Sequence, residues 1–404
     1  MCRNQIYPLF FLLSLMVSCS KSSKVIEQEN FWDDCNVVAS KKVVNGDTVI
    51  VCDVKKITQH KVVPASVFLD TVSYILLKND NPEALISKRM AAVYQTDNYM
   101  GFSGASYFPF KLFKKDGSFV TNIGAIGQGP GEYPNIDNAF MDEENNRIYV
   151  LPYATEKIFV YNFQGEYLFD IKLIKRTMYG SAISVDTKKE QVLVTNSVVA
   201  NPIYFVWIQD FQGNFKQGIK VSDYFDNLSE SFDESTLTNM RTNHIELFRA
   251  GYKNTHEYLY HYDIENNRLI PQFRLTNADE NISVLIHELP LHYLIERTTS
   301  TNPVQDEYVT PKILVDKKTL KGCFVDGYEI LDGLVYNDFC IFSMMRGKDF
   351  GIFDLSGVVE SRLARSKQET DYISTFKKQM AALKESPEDE CSVVFVGKFK
   401  QAKE

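Results

Sequence analysis

With 404 residues, the chain is long enough for two or three average domains or for one large ring of β-sheets. Its 28 Phe and 22 Tyr against 2 Trp favour pleated, half-buried surfaces over helix interiors. A net charge of −8 and an isoelectric point near 5.5 leave no basic face for phosphate contacts, which argues against a nucleic-acid partner and fits plain solubility.

Residues 1–18 read as an export signal peptide, with Arg3 as the lone positive charge and a short apolar core from Leu9 to Val17 broken only by Ser14. That core is too short to span a bilayer, for which about 20 apolar residues are needed. The end of the segment, Met16-Val17-Ser18-Cys19, resembles the lipobox of bacterial lipoproteins, in which a small residue precedes the cut and the cysteine is acylated. The resemblance implies lipid attachment at Cys19. Several acyl chains anchor durably where one gives only marginal binding, so the mature domain is expected to hang from the outer membrane without crossing it. Residues 19–30 are polar and lack apolar periodicity, as a flexible tether would. The run Ser20 to Lys24 is basic, whereas an acidic run here resembles a surface-export signal. The periplasmic face is therefore favoured over the cell surface.

Residues 31–404 are expected to form one folded unit. Beyond Cys2 and Cys19 they hold Cys35, Cys52, Cys323, Cys340 and Cys391, an odd number in a compartment that permits disulfides. Cys35 with Cys52 and Cys323 with Cys340 share a similar spacing, but buried reduced thiols are the simpler expectation.

Early strands are expected over 42–54, around the tight-hairpin pair Asn45-Gly46, and over 68–77. A repeated pattern then begins: an apolar run with a bulky ring, a polar turn, and a second run. Its turns are Asp116-Gly117, Gln164-Gly165, Gln212-Gly213, Asn266-Asn267, Lys318-Thr319 and Ser356-Gly357. Turn-to-turn spacing is about 48, 48, 54, 52 and 38 residues, the range of stacked four-stranded blades. Six copies predict an all-β, six-bladed β-propeller with four-stranded antiparallel blades. Such rings commonly close by pairing strands from both chain ends. The expected partners are 68–77 and 391–399.

Two stretches interrupt the repeat. Residues 223–254 are acidic and irregular at first, and long excursions of this kind lie on a face and often bind. Residues 366–390 carry Ile373, Phe376, Met380 and Leu383 on one helical stripe that ends before Pro387, which predicts one amphipathic C-terminal helix covering part of the ring.

The most distinctive string is Ile123 to Tyr133, with four Gly and one Pro between Gly124 and Glu132. Glycine admits positive φ and proline fixes its own, so the string prescribes a tight path. No Lys-Ser/Thr or helix follows, which removes a phosphate loop. Gly127 to Tyr133, with Arg147 to Val150, Lys157 to Tyr161, Gly165, and later Asp332 to Leu334 with Asn337-Asp338, resembles the six-bladed β-propeller lipoproteins of uncharacterised function, relatives of the NHL-repeat propellers. Leu151-Pro152 stands where NHL repeats commonly carry Asp. The resemblance implies a fold and an address, and no activity.

Candidate chemistry is thin. His287 and His292 flank Glu288 with Pro290 between them, so they cannot present both imidazoles on one helix face. His256 and His261 are five apart, which sends them to opposite faces of a strand. Asp142 to Asn146 reads as a solvated turn rather than a calcium loop, and no nucleophile motif appears. No catalytic, cofactor-binding or metal residue is therefore assigned, and no cofactor is expected. The expected role is a lipid-anchored envelope module, binding or scaffolding a protein, carbohydrate or peptide partner through loops on a rigid frame, with Tyr94, Tyr99 and Tyr107 as contact candidates. The alternative is a propeller enzyme, a lyase or hydrolase, with its site at the channel mouth.

Overall fold

The computed structural model describes residues 23–24, 31–77, 81–86, 92–104, 108–196, 203–224, 235–239, 244–250, 257–279, 282–299, 311–331, 333–336, 349–365, 370–383 and 391–401. The signal segment, Cys19, most of the tether, Tyr107, His256 and Cys340 lie outside them. So do Asn337-Asp338 and much of 223–254.

Six sheets make a six-bladed β-propeller. Blade one comprises Ala92–Gln95, Tyr99–Ser103, Phe110–Lys114 and Phe119–Ile123. Blade two comprises Asn138–Asp142, Arg147–Leu151, Lys157–Tyr161 and Tyr167–Lys172, and blade three Ala182–Asp186, Gln191–Thr195, Tyr204–Asp210 and Phe215–Lys220. Blade four is built from Ser235–Asn239, Glu246–Ala250, Leu259–Asp263 and Arg268–Thr276, and blade five from Ile282–Glu288, His292–Thr299, Lys312–Asp316 and Gly322–Leu331. Two strands of blade four thus come from the stretch that reads as irregular. Their mixed composition hides them, because an inner strand is held by its neighbours more than by its own apolar pattern.

Blade six joins the two chain ends. Phe350–Leu355 pairs with Ser392–Phe399, which pairs with Leu69–Leu77 in a register that sets Phe395 against Tyr74. The expected meeting of 68–77 with 391–399 is therefore the closure. Ser23 and Lys24, inside the segment read as a flexible tether, add backbone pairs to Val72 and Thr71 at the outer edge.

The same closure corrects the sixth repeat. Five of the expected turns join the third and fourth strands of blades one to five, but Phe350–Leu355 is the first strand of blade six. Ser356-Gly357 opens a helix, α1 (Ser356–Arg365), in place of a turn. The spacing shortens to about 38 residues because Ser356-Gly357 follows the first strand of blade six and not the third, which comes from the other end of the chain. A second helix, α2 (Asp371–Ala382), is capped by Thr370, whose side chain accepts from the Ile373 amide. It buries the expected stripe of Ile373, Phe376 and Met380, and its Phe376 ring meets Tyr74 at 4.3 Å. Leu383 falls at the C-cap and is exposed.

Alternation along each strand explains how the blades hold together. In blade two, Ile148 and Val150 join the core facing blade one, while Tyr149 and Leu151 join the core facing blade three. Successive side chains point to opposite faces, and both faces are covered, so such strands read as unbroken apolar runs. The pattern repeats around the ring, giving one core between each pair of neighbouring blades.

The N-terminal segment is a strap over the outer edges. Ala39–Val44 and Asp47–Asp53 form a hairpin whose turn residues Asn45 and Gly46 have φ of 51° and 91°, both positive as a tight hairpin turn requires. This hairpin extends blade four through parallel pairing of Ile50 with Phe273. His60–Pro64 then extends blade five, before 69–77 enters blade six. The strap places Cys35 in the core between blades five and six and Cys52 in that between four and five, so the pairing of Cys35 with Cys52 suggested by spacing is not available.

Candidate functional site

Strands within a blade alternate in direction, so every turn from first to second strand, and from third to fourth, emerges on one face. On that face the first-to-second-strand turns of blades one, two and three open a cleft of about 740 Å³ lined by Thr96, Asp97, Asp142 to Asn145 and Asp186 to Lys188. Two of its carboxylates, Asp142 and Glu143, are held from neighbouring blades. Asp142 accepts from the Asn145 amide at 3.1 Å and from the Thr187 hydroxyl of blade three. Glu143 accepts from the Asn98 backbone N–H of blade one at 3.1 Å. Burial raises the Glu143 pKa, but hydrogen bonds from Thr96 and Asn98 outweigh it and hold the carboxyl below its usual range. At the rim, Glu144 and Lys188 stand 3.8 Å apart and are largely exposed.

A second arrangement occupies the seam between blades four and five. Glu246, His261 and Glu288 are buried, with one potential ligand atom each, all within 4.8 Å of one another. His261 Nε2 lies 2.5 Å from Glu288 Oε2, and Lys317 Nζ donates to Glu288 Oε1 at 2.5 Å. His244 stacks on His261 with ring centroids 4.2 Å apart. Burial works to raise Glu288, but the His261 hydrogen bond and the Lys317 charge hold it low; burial and the His261 charge lower His244. One imidazole and two carboxylates suit a zinc-type donor set. Here, however, His261 and Lys317 already engage both oxygens of Glu288, so a cation would have to displace the Lys317 ammonium. The arrangement sets an imidazole and an ammonium on the two oxygens of one buried carboxylate.

The strands separate the histidine pairs of the sequence. The Leu289–Leu291 turn, closed by the Leu289 N–H donating to the His292 carbonyl at 2.8 Å, puts His287 and His292 on different strands. His287 meets Glu296 at 3.0 Å. His292 lies 3.6 Å from Asp316 and stacks against Trp32 of the strap. Burial pushes the His292 imidazole down to about 4. Sequence reading missed Glu246, His244 and Lys317 as neighbours of His261 and Glu288. No local spacing signals them, because they are drawn from two blades.

Tyr94 and Tyr99 are not free contact residues. Tyr94 is buried, and its hydroxyl accepts from the Ala139 amide at 3.1 Å. Tyr99 packs on Phe163 at 4.8 Å.

The Ile123 to Tyr133 string joins blades one and two. The Tyr133 hydroxyl donates to the Ile123 carbonyl at 2.5 Å and accepts from the Phe110 amide at 2.9 Å. Gly124 and Gly131 have φ of 62° and 72°, and a Cβ on either would press into the Tyr161 or Tyr167 ring. The string is a structural fastener.

A family model described as a domain of unknown function, DUF4934, matches residues 48–286. No curated protein matches the sequence. Among solved structures, the chain is similar to a protein of Bacteroides fragilis NCTC 9343 named, by inference, an exported protein. The identity is 15%, the match covers 87% of this chain and 100% of that one, and the TM-score is 0.58. It is also similar to a member of the DUF4221 family from Bacteroides vulgatus ATCC 8482, at 10% identity over 81% of this chain and 97% of that one, with a TM-score of 0.48.

Proposed function

The chain belongs to the DUF4934 family of unknown function, and from that premise we propose that it is a lipid-anchored binding or scaffold module of the cell envelope. It takes a protein, carbohydrate or peptide partner on the face that carries the cleft of blades one to three. The observation that carries this reading is the cleft itself: about 740 Å³, with carboxylates held in place by hydrogen bonds from adjacent blades. A rigid, partly satisfied acidic rim recognises amino or hydroxyl groups without needing to reorganise. Signal residues 1–18, lipid attachment at Cys19, a tether ending near residue 30, the outer-membrane address with its periplasmic face, and kinship with NHL-repeat propellers belong to the same proposal. They are supported by Met16 to Cys19 and by the inferred export of the Bacteroides fragilis protein.

The test is a pull-down from detergent-solubilised envelope and a glycan and peptide array, run with the wild type and with an Asp97→Lys, Glu144→Lys variant. The reading expects the partner retained by the wild type to be lost from the variant. Equal retention by both overturns the placement of the site.

The Glu246, His261 and Glu288 convergence favours a second reading, a lyase or hydrolase. Against it, all three groups are buried and Glu288 is already paired with two cations or cation-forming groups. Turnover of an envelope polysaccharide or ester that is abolished by His261→Ala would establish the enzyme reading over the binding one.

A further inference from the structure

The geometry points to a disulfide between Cys35 and Cys323, a covalent staple that fastens the N-terminal strap to blade five. The strap crosses the start of the Gly322–Leu331 strand in antiparallel fashion. Val37 bridges Lys321, the Val38 amide donates to the Leu320 carbonyl at 2.9 Å, and the Gly322 amide donates to the Asn36 carbonyl at 3.2 Å. Continued in the same register, this ladder sets Cys35 directly opposite Cys323. Directly opposed residues of an antiparallel pair lie about 4.5–5.5 Å apart at Cα, within the roughly 4.4–6.8 Å window of disulfides. The two side chains enter the same core, beside Phe31 and Val325, and the thiols are within hydrogen-bonding reach of each other. The register, the shared core and the thiol contact all select this pair. Cys52 lies in a different core.

Burial raises both thiols above their usual range, so in the finished fold they are sluggish nucleophiles. The bond therefore forms while the strap docks, as the last outer strands assemble. Cys35, the slightly less buried of the two, is the attacking thiolate, and the Lys61 ammonium favours the charged form of both. It attacks the disulfide of an envelope thiol–disulfide oxidant, forming a mixed disulfide and releasing one oxidant thiol. The Cys323 thiolate then attacks the Cys35 sulfur, forming the Cys35–Cys323 bond and releasing the second thiol. Two electrons and two protons pass from the cysteines to the oxidant, which leaves as a dithiol. The bond ties the N-terminal strap to blade five, so the chain from Cys35 to Cys323, with blades one to four and the first three strands of blade five, lies inside one covalent loop. Long loops of this kind restrict the unfolded chain most.

In the cell the proposal rests on export for its oxidant; the test supplies one instead. Mature protein from Cys19 onward is refolded in a mixture of oxidised and reduced glutathione, alkylated without reduction, digested, and mapped by mass spectrometry. The expected result is a peptide pair linked through Cys35 and Cys323, with Cys52 and Cys391 alkylated. Dithiothreitol should then lower the midpoint of thermal unfolding by about 3–6 °C, and should have no such effect on a Cys35→Ser, Cys323→Ser variant. The map needs only the wild type, so it decides even if that variant fails to fold. Full alkylation of Cys35 and Cys323, or linkage of either to another cysteine, overturns the inference. A linked pair in vitro from a chain that cells retain in the cytoplasm would sink the export reading and leave the staple intact.

Discussion

His261 Nε2 and Glu288 Oε2 meet at 2.5 Å across the seam between blades four and five, and Lys317 holds the other oxygen of the same carboxylate. The third strand of one blade and the first strand of the next are thus joined through a single buried anion, with Lys317 reaching in from the turn that follows the third strand of blade five. Removing that charge strands two groups selected to face it. Breaking one side of a buried pair costs about 3–5 kcal/mol, so Glu288→Gln is expected to lower stability by about 3 kcal/mol in urea unfolding. A loss under about 0.5 kcal/mol would show that the seam does not depend on this contact.

Stability should fall with acid because of His292. Its imidazole is buried between Trp32 and Asp316, near Lys317 and Lys400, and titrates at about 4 instead of 6.5. The unfolded chain therefore binds the proton first. The contribution is complete above about pH 6.5 and is lost as pH falls towards 4, amounting to on the order of 3 kcal/mol. Glu288, also held low, acts in the same direction. His292→Gln is expected to flatten the slope of unfolding free energy between pH 6.5 and 4; an unchanged slope would assign the acid sensitivity to other groups.

The glycine-rich fastener can be tested one atom at a time. Tyr133→Phe removes the hydroxyl that donates to Ile123 and accepts from Phe110, leaving a buried amide and carbonyl short of a partner. The expected cost is about 2 kcal/mol. Gly131→Ala puts a Cβ 2.9 Å from the Tyr167 ring at a φ of +72°, and about 1–3 kcal/mol follows from strain and crowding. Thermal unfolding of both variants reads these losses. A neutral Tyr133→Phe would show that the hydroxyl bridge carries no net stability.

Lipid attachment predicts a clean fractionation result. Cys19→Ala should block acylation, leave the signal segment uncut, and remove metabolic labelling by a fatty-acid analogue. Processing and membrane association identical to wild type would discard the anchor.

Much of the fold was readable because its causes are local. Polar turns such as Gln164-Gly165 and Gln212-Gly213 follow third strands whose apolar residues are largely buried, and their spacing marks one blade after another. Asn45-Gly46 announced its hairpin by chemistry alone, since both residues take positive φ. The inner strands of blade four and helix α1 were not readable: the first lack strong apolar patterning, and Ser356-Gly357 looks like a hairpin turn when its helical continuation is not considered. The seam contacts were beyond reach for another reason. His261 and Glu288 belong to pairs whose spacing argues against shared chemistry, and each finds its partner on a neighbouring blade.

What the sequence by itself determined is the class of scaffold, and five strand-joining turns with the closing strands of the two chain ends make its six blades. Repeated strand-and-turn units can bury their two faces only against neighbours like themselves, and the strands at 68–77 and 391–399 made closure between the chain ends the natural outcome. What only the tertiary structure decided is which distant groups face one another: Glu288 with His261 and Lys317, Cys35 with Cys323, and the turns of three blades around one cleft. Periodicity is a property of the chain taken a few residues at a time, whereas these contacts depend on the strand register and on the angle at which one blade meets the next.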